Sequence, residues 1–192
     1  MIYFYPNRPL LLTPDHPKVE VWSQHSDWDA EIKKNGTRLV LQQDSGLKFF
    51  NRKRGLLKYR PAKGLIDELN SLEIPNHSQL DAELLHFKTK HIKDVVYFYD
   101  AYLLKEERVT EELQFRREIL HNLFKGRKFK HIEIAQTYSG DFHNLFNEVI
   151  KKEENEGLVM KNKKGKIVWK TTRSPDVPWQ VKIRKSTKNY RF

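Results

Sequence analysis

The stretch Glu31-Ile32-Lys33-Lys34-Asn35-Gly36-Thr37-Arg38 joins two short β-like runs, Trp28–Lys33 and Thr37–Gln43. Asn35-Gly36 is a hairpin signal, because both residues tolerate a positive φ and let the chain reverse within two positions. The pattern predicts a lysine closing one strand and an arginine opening the next, held on adjacent strands around one small space. Lys33 there can serve as a nucleophile once its ammonium loses a proton. A lysine in water keeps that proton up to a pH of about 10.4, so nearby cations or partial burial must weaken it. Lys34 and a basic C-terminal strand are the neighbours on offer. Taken alone, the segment reads equally well as an ordinary hairpin with exposed charges.

Working outward, Lys18–Ser23 and Gly46–Phe50 read as two more strands in the first half, and Ala62–Leu72 as a short helix. Leu80–Phe87 and Val95–Leu104 look like longer, more buried strands. Thr110–Phe124 is the clearest helix: Thr110 can cap it, Glu111 and Glu112 suit the N-terminal dipole, and Gly126 stops it. Leu113, Arg116, Leu120 and Phe124 follow its spacing, with Ile119 and Leu123 widening the apolar stripe. Asp141–Lys152 is a second helix, with Phe142, Leu145, Phe146, Val149 and Ile150 on one side. Gly157–Lys161, Lys166–Lys170 and Trp179–Arg184 then read as strands. No repeat, low-complexity tract or linker divides the chain, so one domain over 1–192 is expected. Its class is α+β, with mixed antiparallel sheets flanked by helices.

The 192 residues are 38% hydrophobic and 12% aromatic, enough for a packed core. The absence of cysteine excludes disulfides, thiolate metal sites and a cysteine nucleophile. No apolar run approaches the roughly 20 residues that span a bilayer, and Met1-Ile2-Tyr3-Phe4-Tyr5-Pro6 lacks the marks of a secretory leader. A cytoplasmic, monomeric protein with no membrane partner is expected. Net charge is +11, and it is uneven: thirteen basic and four acidic residues occupy Lys151 to Phe192. Lys48, Arg52, Lys53, Arg54, Lys58 and Arg60 form a second basic stretch without an acid among them. Such clusters suit a polyphosphate or a nucleic acid, or a merely solvated basic face. The eight histidines show no metal-ligand spacing.

The opening segment resembles the Lys-x-Asp-Gly-x-Arg motif of the covalent nucleotidyltransferases, the superfamily of ATP-dependent DNA ligases, RNA ligases and mRNA capping enzymes. Further motifs of that superfamily follow in order. Leu80-Asp81-Ala82-Glu83-Leu84 is similar to Leu-Asp-Gly-Glu, and Tyr97-Phe98-Tyr99-Asp100-Ala101 to the next strand, where an aromatic precedes an aspartate. Glu156-Gly157-Leu158-Val159-Met160-Lys161 resembles the fourth motif, and Trp179-Gln180-Val181-Lys182-Ile183-Arg184 the Lys-x-Lys of the fifth. Arg8-Pro9-Leu10-Leu11 looks like the lead-in of many DNA ligases. The likeness covers almost the whole chain and implies an ATP-grasp-like adenylation domain.

By this resemblance, Lys33 attacks the α-phosphate of ATP, expels pyrophosphate and becomes lysyl-AMP. Glu31, Arg38, Glu83, Tyr99, Lys182 and Arg184 are the implied nucleotide-binding set. Arg38 and Glu83 would hold the ribose, Tyr99 would stack on adenine with Phe98 as the alternative, and Lys182 and Arg184 would clamp the α-phosphate. Glu156 and Glu83 are the implied Mg²⁺ ligands. Arg52, Lys53 and Arg54 are the implied contacts to nucleic acid, expected to be a nicked duplex with DNA favoured.

Asn35 stands where the motif has Asp, Ala82 where it has Gly, and Arg184 where it has the second Lys. Asn35 keeps the turn but loses a negative charge, and Arg184 keeps the cation with a different shape. In ligases and capping enzymes an oligonucleotide-binding (OB-fold) barrel follows the fifth motif. Here the sequence stops shortly after Arg184, so the expectation is a domain without an OB-fold. It would act as a minimal ligase, take that barrel from a partner in trans, or represent a shortened chain. The favoured function is an ATP-dependent DNA ligase sealing 5′-phosphate/3′-OH nicks, supported by Arg38 at the end of the first motif and Lys161 closing the fourth. An RNA ligase, a capping guanylyltransferase and a non-catalytic nucleic-acid binding module are the alternatives.

Overall fold

Strand alternation builds two faces from one sequence pattern. The computed structural model describes residues 1–186. Its first sheet runs in the order β1 (Arg8–Leu11), β11 (Asp176–Arg184), β10 (Asn155–Asn162), β2 (Trp28–Lys34) and β9 (Thr137–Tyr138). Only β1 and β11 are parallel there. The second sheet runs β4 (Leu47–Phe50), β3 (Thr37–Gln43), β5 (Ser78–Leu85), β6 (Val95–Leu104) and β7 (Glu107–Arg108), with β8 (Ile132–Ile134) added parallel to β6.

In the first sheet Ala30 and Ile32 of β2, Leu158 and Met160 of β10, and Val181 and Ile183 of β11 pack beneath helices α1 (Pro17–Ser23) and α4 (Phe142–Val149). In the second, Leu39 and Leu41 of β3, Leu80, Ala82 and Leu84 of β5, and Val96 and Phe98 of β6 pack beneath α2 (Lys63–Ser71) and α3 (Leu113–Phe124). Because side chains alternate across a strand, the intervening positions of every one of these strands emerge on the opposite face. Those positions carry the charges. The α+β class with mixed sheets and flanking helices is the observed one.

Four expectations from the sequence are corrected. Lys18–Ser23 is helix α1, not a strand: Pro17 supplies the fixed φ of a first turn, and His16 Nδ1 accepts the Lys18 N–H at 3.2 Å. Helix α3 begins at Leu113, not Thr110. Its first N–H groups need no side-chain cap, because Leu113 and Gln114 donate to the carbonyls of Gly165 and Lys163 at 2.9 and 3.1 Å. Lys166–Lys170 is not a strand. The Asn7 side chain takes the place of a ladder, donating to the Val168 carbonyl and accepting its N–H, both at 2.9 Å.

Lys34-Asn35-Gly36 is not a hairpin either. Strand β2 pairs with β10 and β9, strand β3 with β4 and β5, so the segment carries the chain from one sheet to the other. Neither Asn35 nor Gly36 has a positive φ. Glycine is required for a different reason: a Cβ at position 36 would lie 2.6 Å from both the Glu83 Cγ and the Leu84 carbonyl. Among the described residues, no helix is long and apolar enough to cross a membrane.

Candidate active site

The two charged faces meet at a cleft of about 630 Å³. Glu31 and Lys33 enter it from β2, Glu156, Val159 and Lys161 from β10, and Gln180, Lys182 and Arg184 from β11. The other sheet contributes Thr37 and Arg38 from β3, Glu83 from β5, and Tyr97 and Tyr99 from β6. The crossover at Asn35-Gly36 therefore sets Lys33 and Arg38 on opposing sheets, facing one space, rather than side by side on a hairpin.

Lys33 Nζ donates to Glu156 Oε2 at 2.5 Å. A bulge makes this contact. Asn155 is paired with Lys34 and Gly157 with Lys33, which leaves Glu156 as an extra residue whose carboxylate is re-aimed into the cleft. Gly157 follows because β11 passes too closely for any side chain: a Cβ there would meet the Ile183 carbonyl oxygen at 2.2 Å. The Glu-Gly pair is thus a carboxylate on a bulge plus room for the next strand. Lys182, opposite Val159 on β11, is held down to about 8, first by burial and then by Lys33, Arg184, Arg8 and Arg38.

Arg38 makes a bidentate pair with Asp81, with Nε to Oδ1 at 2.8 Å and Nη2 to Oδ2, and Nη2 also donates to the Asn7 carbonyl at 3.0 Å. Burial works against that guanidinium, and Asp81 and Tyr99 more than offset it, leaving Arg38 firmly charged. Glu83 lies directly across the ladder from Arg38. Burial raises its pKa, Lys33, Arg38 and Lys88 pull it back down, and Glu156 adds to the rise. Tyr99 occupies a bulge of β6, between Phe98 opposite Ala82 and Asp100 opposite Asp81. Its hydroxyl donates to the Ala82 carbonyl at 3.0 Å, and its ring is 5.3 Å from the Arg38 guanidinium carbon and 5.1 Å from Lys161 Nζ. Phe98, the alternative to Tyr99, is in the core on the helix side.

Glu31 is buried and doubly engaged, 2.6 Å from Lys161 Nζ and 2.9 Å from Arg117 Nη2. Arg117 continues to Asp29 at 3.1 Å, so α3 braces the floor of β2. Arg52 and Lys53 lie at the cleft mouth. Arg54 does not join them: with a left-handed φ of 67° it turns its guanidinium over the Tyr3 ring, 5.8 Å from the centroid.

The structure thus brings together Glu31, Lys33, Arg38, Glu83, Tyr99, Glu156, Lys182 and Arg184, with Arg52 and Lys53 at the edge. Sequence reasoning missed Asp81 as the partner of Arg38, Tyr97 and Gln180 in the lining, and Arg117 behind Glu31. Parity along the strands would have found Tyr97 and Gln180, two positions from Tyr99 and Lys182. Nothing local marks Arg117, whose partners are on β2. Glu83 and Glu156 are hard oxygen donors on one cleft, a set that fits Mg²⁺, which commonly takes one or two carboxylates and completes its shell with water and substrate phosphates. Among the described residues, no group of three or more His, Cys, Asp or Glu forms a preassembled metal cage.

A family model described as "ATP dependent DNA ligase domain" matches residues 67–179, more than half of the chain. The protein belongs to the ATP-dependent DNA ligase family. The matched region is its adenylation domain, a nucleotidyltransferase domain. Solved structures agree on the fold. The chain of a mycobacterial DNA ligase D complexed with ATP and MES is 19% identical and superposes with a TM-score of 0.64, over 92% of this chain and 60% of that one. The ATP-dependent DNA ligase of bacteriophage T7, in complex with ATP, is 14% identical at a TM-score of 0.59, covering 94% of this chain and 68% of that one. A Lig E DNA ligase, described as binding DNA with a minimal scaffold, is 12% identical at a TM-score of 0.58, covering 93% and 69%. This chain therefore spans less than two thirds of the mycobacterial chain. No curated protein sequence matches significantly.

Proposed function

We propose that this ligase domain transfers AMP from ATP to Lys33 and passes it on to the 5′-phosphate of a nicked duplex, DNA being the favoured substrate, which is then sealed. The observation that carries the reading is the 2.5 Å contact between the Lys33 amine and Glu156 at the point where three strands of one sheet face Arg38, Glu83 and Tyr99 of the other.

The lone pair of the Lys33 nitrogen attacks the α-phosphorus, the bond to the bridging oxygen breaks, and pyrophosphate leaves. The proton that the amine gives up has Glu156 as its nearest acceptor. Lys182 and Arg184 offset the charge that builds on the α-phosphate oxygens, in a cleft where water does not screen them fully. Arg38 and Glu83 present a donor and an acceptor for the ribose hydroxyls, and Tyr99, with Tyr97 beside it, offers an aromatic wall for the base. Glu83 and Glu156 would hold Mg²⁺, which when bound supplies charge neutralisation on the phosphates. In the second step an oxygen of the 5′-phosphate attacks the same phosphorus, the P–N bond breaks, and Lys33 regains its proton. The 3′-hydroxyl then displaces AMP.

The test is mass spectrometry of the protein after incubation with ATP and Mg²⁺, and separately with GTP. The expected result is the mass of one AMP on the peptide containing Lys33, absent from Lys33→Ala. No adduct, or an adduct from GTP alone, would overturn the proposal. Sealing assays on nicked DNA, nicked RNA and hybrids then assign the substrate, with nicked DNA expected to be joined fastest.

A further inference from the structure

A second cleft, of about 620 Å³, opens beside the first and shares Arg8, Arg52, Lys53 and Ser174 with it. Beyond these shared residues it is lined by Lys170, Thr172 and Arg173, with Tyr5, Pro175 and Asp176. Its single carboxylate, Asp176, is already spanned by Arg8, with Nε to Oδ1 at 2.9 Å and Nη2 to Oδ2 at 2.7 Å. Four cations, Arg52, Lys53, Lys170 and Arg173, therefore outnumber what the cleft itself can neutralise. The parallel pairing of β1 with β11 explains why the two clefts are continuous: Arg8 is opposite Asp176, and Leu11 is opposite Lys182 of the nucleotide cleft. Arg8, Arg52 and Lys53 line both clefts, so cations stand at the passage from one to the other.

We propose that this second cleft is a pyrophosphate seat, which holds the two phosphates leaving ATP when Lys33 is adenylated. The inference rests on the lysyl-AMP chemistry proposed above. In-line displacement at phosphorus needs the departing oxygen opposite the attacking nitrogen, so the leaving group must exit the nucleotide cleft on the side away from Lys33. A neighbouring space with surplus cations and the unpartnered Ser174 hydroxyl has the chemistry that a leaving group of several negative charges calls for. The same seat serves the reverse reaction: a pyrophosphate oxygen attacks the α-phosphorus of lysyl-AMP, the P–N bond breaks, the amine takes up a proton, and ATP is released.

The experiment is ATP–pyrophosphate exchange with the full chain, comparing the parent, K170A/R173A and the charge-matched K125A/K128A. All four positions are exposed, so both double variants are expected to fold. In K170A/R173A the apparent KM for pyrophosphate is expected to rise roughly tenfold, by the loss of two partly screened charge contacts, while K125A/K128A stays at the parent value. A KM for pyrophosphate that is the same in all three proteins overturns the proposal. So does weakened binding of a 5′-phosphorylated nicked duplex by K170A/R173A with pyrophosphate kinetics unchanged, which would make the cleft a nucleic-acid surface. A parent protein that forms no adduct on Lys33 is a different failure, that of the reaction itself.

Discussion

Gly157→Ala is the sharpest perturbation the structure offers, because a single methyl group would separate β10, which carries Glu156, from β11, which carries Lys182. The new Cβ would meet the Ile183 carbonyl oxygen at 2.2 Å and the Arg184 Cα at 2.7 Å, and both are backbone atoms with no rotamer to escape into. Restoring ordinary contact pushes β11 back by about 1.2 Å, and the φ of 155° at this position adds strain for any residue with a side chain. Overpacking of this kind costs ~1–3 kcal/mol, which for a domain of this size lowers Tm by roughly 3–10 °C. The kinetic loss should be larger. Lys182 and Arg184 travel with β11, whereas Lys33 stays on β2, so the proposed phosphate clamp moves relative to the proposed nucleophile by about the misplacement that costs ~100-fold in rate. Single-turnover formation of the Lys33 adduct, followed beside thermal unfolding, separates the two effects. A variant that keeps the parent Tm and adenylates within twofold of the parent rate would refute the reasoning, since it would show that β11 need not approach the bulge so closely.

Arg116→Met should cost ~3–5 kcal/mol in urea denaturation, because it strands the buried Asp100, to which Arg116 donates at 2.7 and 3.0 Å; removing both charges together should cost less. Lys182, with its pKa held down to about 8, is a cation below that pH and neutral above it, so if it binds phosphate as proposed the affinity for ATP should fall as pH rises through 8; Lys182→Arg should flatten that dependence in ATP titrations. Between about 8 and the ordinary lysine value of about 10.4 the unfolded chain holds a proton that the folded protein has released, so Lys182 makes stability rise with pH there, and Lys182→Met should lose that slope. Asn7→Ala removes both hydrogen bonds to Val168 and should lower stability by ~1–2 kcal/mol, with protease cleavage appearing first in the 165–170 segment.

What could be read from the sequence was whatever is local. The strands Trp28–Lys33, Thr37–Gln43 and Val95–Leu104 announce themselves by composition, and the Asp141 cap with its Asn144 N–H at 3.0 Å makes α4 legible from a single residue. The motifs after the first are legible because each is a short run on one strand, with cleft-facing and packing positions alternating. What was hidden depends on tertiary partners. Leu113 rather than Thr110 starts α3 because the carbonyls of Gly165 and Lys163, distant in sequence, receive its first N–H groups. Lys166–Lys170 has the composition of a strand but lies beside Asn7, whose amide satisfies it instead. The Asn35-Gly36 turn misled for a more interesting reason. A hairpin and a sheet-to-sheet crossover both need a small residue there, and only the position of β5, 2.6 Å from a missing Cβ, distinguishes them.

That crossover also accounts for the order in which the motifs occur. Once β2 and β3 are assigned to different sheets, Lys33 and Arg38 become the two walls of one cleft, separated by four residues of chain. Every later strand must then return to one wall or the other. Strands β5 and β6 join β3 and bring Glu83, Tyr97 and Tyr99. Strands β10 and β11 join β2 and bring Glu156, Lys182 and Arg184. On the proposed function, the base and ribose side is therefore assembled from the middle of the chain and the phosphate side from its last third, with Lys33 anchored to the phosphate side. A charge reversal at Lys182 should accordingly weaken ATP binding and leave adenosine affinity unchanged in binding titrations, whereas Tyr99→Ala should weaken both.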